Sequence, residues 1–166
     1  MSTVEERWAI VEPHVEGGTL VDLGCYDGAF CRLAAARGMS ATGVEDRTDV
    51  PGVYHQIIYS DMLDLPAEYI DADTILLLRV WPYLLLRHGE VKALAFLRRV
   101  IKGCRVLFFE TQLWGDGPGP ENLKTPDDVQ VLLESCGGQY VRMLADLPVE
   151  GRDAYRAVFL VAGGAR

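Results

Sequence analysis

The sequence predicts a single α/β domain whose helices cover a mostly parallel, seven-stranded sheet. Apolar runs of strand length alternate along the chain with segments of helical spacing, as at residues 73–78 and 89–101. The last two predicted strands, 139–144 and 155–161, follow each other without a helix between them, as in a closing antiparallel hairpin. A chain of 166 residues is long enough for one such core and too short for two ordinary domains. We therefore expect one domain over residues 1–166.

The domain is predicted to be organised around its first strand, turn and helix. An apolar run starting at Thr19 ends in two glycines, Gly24 and Gly28, and residues 29–36 then take helical spacing. Gly24 allows a ligand to approach the backbone closely, and Gly28 allows the helix to begin against the strand without a side-chain clash. The N-terminus of a helix that follows such a turn is suited to a nucleotide-like ligand.

The motif VDLGCYDG in this turn resembles the first motif of class I S-adenosylmethionine-dependent methyltransferases, an acidic residue in an apolar strand followed by GxGxG. The sequence keeps Asp22, Gly24 and Gly28 and has Tyr26 in place of the middle glycine. The rival dinucleotide fingerprint GxGxxG is not met in either spacing. The resemblance covers about residues 18–162, after an N-terminal helix and lead-in over 1–17. It implies a three-layer, Rossmann-like domain that transfers the methyl group of S-adenosylmethionine.

The resemblance also implies where each part of the cofactor binds. The methionine part lies at the glycine turn, the ribose on an acid at the end of the second strand, and the adenine on an acid and an apolar residue after the third. Arg79 stands where the family commonly has an acid, and its backbone is expected to face the amino-acid end of the cofactor. The predicted cofactor-binding residues are Asp22, Gly24, Cys25, Tyr26, Gly28, Glu45, Asp46, Asp61, Met62 and Arg79.

The predicted chemistry needs little from the protein beyond alignment, because the sulfonium is already an activated methyl donor. A general base is needed only if the acceptor must lose a proton, and the candidates are Tyr83, Glu110 and His88. His88, beside Gly89, is also interpreted as the start of the helix over 89–101.

Two tryptophans are predicted to contact the acceptor. Trp81 follows the fourth strand, and Trp114 lies in a glycine- and proline-rich loop, 112–122, that is expected to close over the acceptor. The chain has no large insertion in its predicted core, so short segments must form the acceptor pocket. A small-molecule acceptor is favoured, with a homodimer or a partner subunit completing the pocket as a further possibility.

Composition excludes several other classes of function. The net charge of −8 makes nucleic acid an unfavourable partner, which disfavours a nucleic-acid methyltransferase. No apolar run is long enough to span a membrane, and the first residues do not have the pattern of a signal peptide. The four cysteines lack zinc-ligand spacing, so reduced thiols, no metal and a cytoplasmic location are expected. The alternative that stays open is a non-catalytic module that binds S-adenosylmethionine or serves as a scaffold or regulatory partner.

Overall fold

A computed structural model describes residues 3–50, 54, 56–113, 123–148 and 155–163 of the chain. The described residues form one sheet in the order β3-β2-β1-β4-β5-β7-β6. Its strands are β1 Thr19–Leu23, β2 Ser40–Glu45, β3 Ile57–Tyr59, β4 Ala72–Leu78, β5 Cys104–Gln112, β6 Tyr140–Pro148 and β7 Tyr155–Ala162. Strands β1 to β5 pair in parallel, whereas β7 is antiparallel to both β5 and β6. The predicted fold class, with its antiparallel C-terminal hairpin, is confirmed.

Helices pack on both faces of this sheet. They are α1 Val4–Val11, α2 Ala29–Ala36, α3 Trp81–His88, α4 Glu90–Gly103 and α5 Pro126–Ser135. Threonines cap two of them, because Thr3 and Thr125 each begin a capping box that satisfies backbone N–H groups of the first turn. Helix α3 carries Pro82 in its first turn, where the missing N–H of proline costs no hydrogen bond.

The core lies in two layers, one on each side of the sheet. On one side, Trp8 of α1 and Phe30 of α2 pack with the sheet, and on the other Leu97 of α4 and Leu133 of α5 do so. The central strand β4 contributes to both layers, which is why its sequence is almost continuously apolar. This arrangement places the carboxyl ends of β1 to β5 on one edge of the sheet, and we call that edge the rim.

Two local predictions about the helices after β4 are wrong. His88 ends α3 and does not begin α4, because Gly89 takes a positive φ between the two helices and separates them. The apolar spacing within residues 89–101 also predicts Val91 and Ala95 on the inward face of this helix, yet both are exposed and Val91 is 83% accessible. The face that α4 buries instead consists of Ala93, Phe96, Leu97, Val100 and Ile101.

Candidate active site

The turn after β1 takes the left-handed backbone conformation at every second residue. Gly24, Tyr26 and Gly28 have φ values of +80°, +52° and +76°. Left-handed backbone is nearly free for glycine and costs other residues about 1–2 kcal/mol. The turn therefore explains why the motif that it resembles has three glycines, and it shows that Tyr26 keeps the same backbone at an energetic cost.

Glu45, at the end of β2, holds this turn in place. Its Oε2 accepts a hydrogen bond from the backbone N–H of Tyr26 at 2.8 Å, and its Oε1 accepts from the N–H groups of Asp46 and Arg47, each at 3.1 Å. Burial, with a contribution from Asp46, raises the pKa of the Glu45 carboxyl. The carboxylate thus joins the loops that leave two adjacent strands.

Asp22, the acid within β1, is the most deeply buried carboxyl group at the turn. It is 3% exposed, and burial together with the nearby Glu45 and Asp27 raises its pKa to about 7. Its Oδ2 atom is buried and has no hydrogen-bond partner among the described residues. An unsatisfied buried oxygen of this kind is suited to a ligand that brings a hydrogen-bond donor or a positive charge.

Asp61 follows β3 and caps a short 3-10 turn, Met62–Asp64. Its Oδ1 accepts a hydrogen bond from the N–H of Leu63 at 3.0 Å. Its Oδ2 lies 3.3 Å from Nε2 of His88 and 3.5 Å from Nη2 of Arg87. Arg87 also forms an ion pair with Asp46. The end of α3 therefore bridges the acids that follow β2 and β3.

These residues surround one cavity of about 730 Å³ at the rim. Of the residues that the sequence predicted for the site, those lining it are Asp22, Gly24, Cys25, Tyr26, Glu45, Asp46, Asp61, Met62, Arg79, Tyr83 and His88. Burial raises the pKa of the Cys25 thiol, which disfavours a reactive thiolate there. Predicted residues from four separate segments of the chain are thus brought together. His88, however, lies beside Asp61, at the opposite end of α3 from Arg79.

Three predicted site residues that the structure describes do not line this cavity. Gly28 is the N-cap of α2, and a Cβ there would collide with Tyr54. Trp81, expected at the acceptor, is 1% exposed in the core, with its ring centroid 5.9 Å from that of Phe109. Glu110 is fully buried, and its Oε2 lies 3.2 Å from Nε of Arg7. Trp114 and the segment 114–122 lie outside the described residues, so the predicted lid stays a prediction.

The cavity is also lined by three arginines that the sequence did not predict, Arg7, Arg47 and Arg87. Arg7 on α1 lines the cavity although it lies on the buried face of its helix. The spacing of Val4, Arg7, Trp8 and Val11 carried this signal, because it places a cation on an otherwise apolar face. Arg87 gave no such signal, since a basic residue near the end of a helix is common on exposed surfaces.

Two further properties of the described residues bear on the kind of site. They contain no helix long and apolar enough to cross a membrane. Nor do they contain a group of three or more side chains arranged to hold a metal ion.

No family model matches the sequence, and no curated protein matches it. Solved structures do share the fold. A structure of WbdD with its C-terminal bundle ordered has a TM-score of 0.76 at 17% identity. The match covers 98% of this chain but only 36% of the WbdD chain. The N-terminal domain of EvdMO1 with SAH (S-adenosylhomocysteine) bound has a TM-score of 0.67 at 17% identity, with 96% of this chain and 80% of that one covered.

A third structure, an S-adenosylmethionine-dependent methyltransferase from Archaeoglobus fulgidus, covers 95% of this chain and 92% of its own, with a TM-score of 0.68 and 15% identity. The strand order and the antiparallel β7 agree with these likenesses. The chain therefore has the fold of the class I S-adenosylmethionine-dependent methyltransferases.

Proposed function

We propose that the protein is an S-adenosylmethionine-dependent methyltransferase that acts on a small-molecule acceptor. The observation that carries this proposal is the set of three acids, Asp22, Glu45 and Asp61, that line one cavity at the ends of three adjacent strands. Ligands of open α/β sheets bind outside the carboxyl ends of the strands, where these acids lie. The solved methyltransferase structures with the same fold support the same assignment.

The residues present fit such a cofactor. The buried Oδ2 of Asp22 lacks a partner among the described residues and is suited to the α-ammonium of the methionine part. Glu45 lines the cavity with a carboxylate that is suited to ribose hydroxyls, and Asp61 and Met62, which also line it, are suited to the adenine. The cavity volume of about 730 Å³ is within the range of small-molecule sites.

When bound, S-adenosylmethionine supplies a methyl group that its sulfonium has already activated. The task of this chain is then to hold the acceptor in line with that group and to exclude water. Tyr83, on α3, lines the cavity with an exposed ring and is our candidate for accepting a proton from the acceptor. His88 is less suited to that role because it faces Asp61, and Glu110 because it faces Arg7.

Isothermal titration calorimetry tests the cofactor assignment directly. We expect S-adenosylmethionine and SAH to bind and NAD to show no heat of binding. Binding of NAD without binding of SAH would contradict the proposal. Mass spectrometry of small molecules that co-purify with the protein gives an independent check on the ligand.

A turnover assay separates the enzyme from the alternative of a non-catalytic module. Formation of SAH from S-adenosylmethionine is measured with a panel of small acceptors, first with the wild-type protein and then with Asp22→Asn. Acceptor-dependent SAH formation that the substitution reduces supports catalysis. Tight cofactor binding with no turnover on any acceptor would favour the non-catalytic module.

A further inference from the structure

We propose that the cavity ends in an oxyanion subsite built on Arg7, which holds a carboxylate or phosphate group of the methyl acceptor. This inference rests on the proposed function, since it assigns a chemical class to the acceptor of that same site.

The first argument is the order of charges along the rim. Asp61, Glu45 and Asp22 follow or end β3, β2 and β1, in the order in which these strands lie in the sheet. Beyond them lie two cations, since Arg79 follows β4 and Arg156 lies near the start of the antiparallel β7, with the buried Glu110 of β5 between them. The acidic half of the rim suits the hydroxyls and the ammonium of the cofactor. The basic half suits an anion.

The second argument is the state of the Arg7 side chain. Arg7 is only 7% exposed and lines the cavity, with its Nε 3.2 Å from Oε2 of Glu110. Its Nη2 is buried and has no hydrogen-bond partner among the described residues. A buried guanidinium N–H without an acceptor is costly, and the planar fork of arginine is matched by carboxylate and phosphate oxygens. An oxyanion in the cavity would provide the acceptor that Nη2 lacks.

The third argument is the balance of charge around Arg7. Burial lowers the pKa of Arg7, the nearby Arg79 and Arg156 lower it further, and the carboxylates of Glu110 and Glu6 oppose these effects. The surroundings thus place two more guanidinium groups beside Arg7 and the fully buried Glu110. The cations of Arg79 and Arg156 add to the positive potential that an anionic ligand would meet at Arg7.

The position of these residues favours the acceptor over the cofactor as the source of the anion. Arg7 contacts Glu110 on β5, and Arg156 pairs in register with Gln112 at the end of β5. In the sheet, β4 lies between β1 and β5. The acids assigned to the cofactor lie on β1, on β2 or after β3, on the side of β4 away from β5. The methyl acceptor is therefore expected to carry its charged group toward β5.

Inorganic phosphate is the probe for the test. It is titrated by calorimetry into the wild-type protein saturated with SAH, and into the variants Arg7→Gln and Arg37→Gln. Arg37 is the matched control because it pairs with Glu12 and does not line the cavity. We expect saturable binding to the wild type and to Arg37→Gln, and at least tenfold weaker binding to Arg7→Gln. No phosphate binding by the SAH-loaded wild type, or equal binding by Arg7→Gln, would overturn the proposal.

A second titration identifies the source of the anion. SAH carries a carboxylate, whereas 5′-methylthioadenosine lacks the whole amino-acid part. If Arg7 serves the acceptor, Arg7→Gln changes the dissociation constants of both ligands by less than about twofold. A loss of at least tenfold for SAH, with 5′-methylthioadenosine unaffected, would overturn the proposal, because Arg7 would then hold the carboxylate of the cofactor.

Two further measurements keep the outcome interpretable. Arg7→Gln leaves Glu110 buried beside a neutral side chain, so the double variant Arg7→Gln/Glu110→Gln removes both charges and must show the same loss of phosphate binding. Phosphate is also titrated in the absence of SAH. If the wild type binds phosphate through Arg7 but does not bind SAH, the proposed function fails while the oxyanion subsite stands. If it binds SAH but not phosphate, only the subsite fails.

Discussion

The carboxylate of Glu45 accepts a hydrogen bond from the backbone N–H of Tyr26 at 2.8 Å, which links the end of β2 to the turn after β1. The same carboxylate lines the cavity. A residue that the sequence suggested for ribose binding alone thus also fixes the shape of the glycine turn. Removing it should affect both binding and folding.

Glu45→Ala is expected to weaken SAH binding and to lower the melting temperature. A hydrogen bond to a charged group contributes ~1.5–3 kcal/mol, so the affinity should fall by roughly tenfold to a hundredfold. Calorimetry and thermal melting measure the two effects. Asp49→Ala is the control, because Asp49 is exposed just beyond the same strand and pairs with Arg47. An unchanged SAH affinity in Glu45→Ala would show that another residue binds the ribose.

Asp22 should make cofactor binding depend on pH. Its pKa of about 7 means that acidification protonates it, and a protonated Asp22 no longer attracts an ammonium group. We expect SAH affinity to fall as the pH is lowered from about 8 to about 6. Asp22→Asn should bind SAH more weakly and lose most of this pH dependence. A wild-type affinity that is flat over this range would contradict the role of Asp22.

Ionisation of Asp22 should have the opposite effect on folding stability: a rise in pH that strengthens SAH binding should lower the free energy of unfolding. The pKa of Asp22 is raised in the folded protein from 3.8 to about 7, so the folded state binds the extra proton between these values. The free energy of unfolding therefore loses this contribution as the pH rises through that window. Asp22→Asn should melt at a higher temperature than the wild type at pH values above about 7. Equal melting temperatures there would show that the buried charge is compensated.

At position 26, glycine should give a more stable protein than alanine, which is the reverse of the order at an ordinary exposed helical position. The Tyr26 φ of +52° is strained for any residue with a Cβ, and the residue is 55% exposed. Tyr26→Gly should thus be more stable than Tyr26→Ala by about 1 kcal/mol. At Tyr83, an exposed helical position, the order should reverse by about 1 kcal/mol. Urea unfolding of the four variants measures this, and the same order at both sites would contradict backbone strain at Tyr26.

Asp61→Asn should weaken the binding of SAH while the 3-10 turn is kept. Asparagine caps as well as aspartate, so the hydrogen bond to Leu63 survives while the charge is lost. We expect a loss of about tenfold in affinity, comparable to one charged hydrogen bond. Asp64→Asn changes an exposed acid of the same turn and should have no effect. Equal SAH affinities of Asp61→Asn and Asp64→Asn would show that Asp61 does not contact the cofactor.

Trp81 should stabilise the fold without contributing to the binding of SAH. It is enclosed in the core against Phe109, so Trp81→Ala should cost ~3–5 kcal/mol of stability. Trp81→Phe should fold, because it keeps most of the apolar volume and removes an indole N–H that has no partner among the described residues. Its SAH affinity should equal that of the wild type. If Trp81→Phe folds but loses turnover of the acceptor, that result would support the predicted contact between Trp81 and the acceptor.

The sequence by itself determined the fold class and the acidic half of the candidate site. A buried parallel strand must be apolar on both faces, so its ends can be located in the sequence, and Asp22, Glu45 and Asp61 stand at or near those ends. Because parallel strands end on the same edge of a sheet, chain order alone placed these acids together. Even the glycine turn is local, since its left-handed backbone is encoded by Gly24 and Gly28.

Only the tertiary structure decided which side chains face the cavity after β4. Trp81 and Tyr83 are two residues apart on α3, yet the first enters the core and the second lines the cavity. That difference depends on the rotation of α3 against the sheet, which no local pattern specifies. The contact between Arg7 and Glu110 joins residues from α1 and β5 that are far apart in sequence. Such a pair forms because packing α1 onto the sheet buries both charges together, and burial is decided by the whole fold.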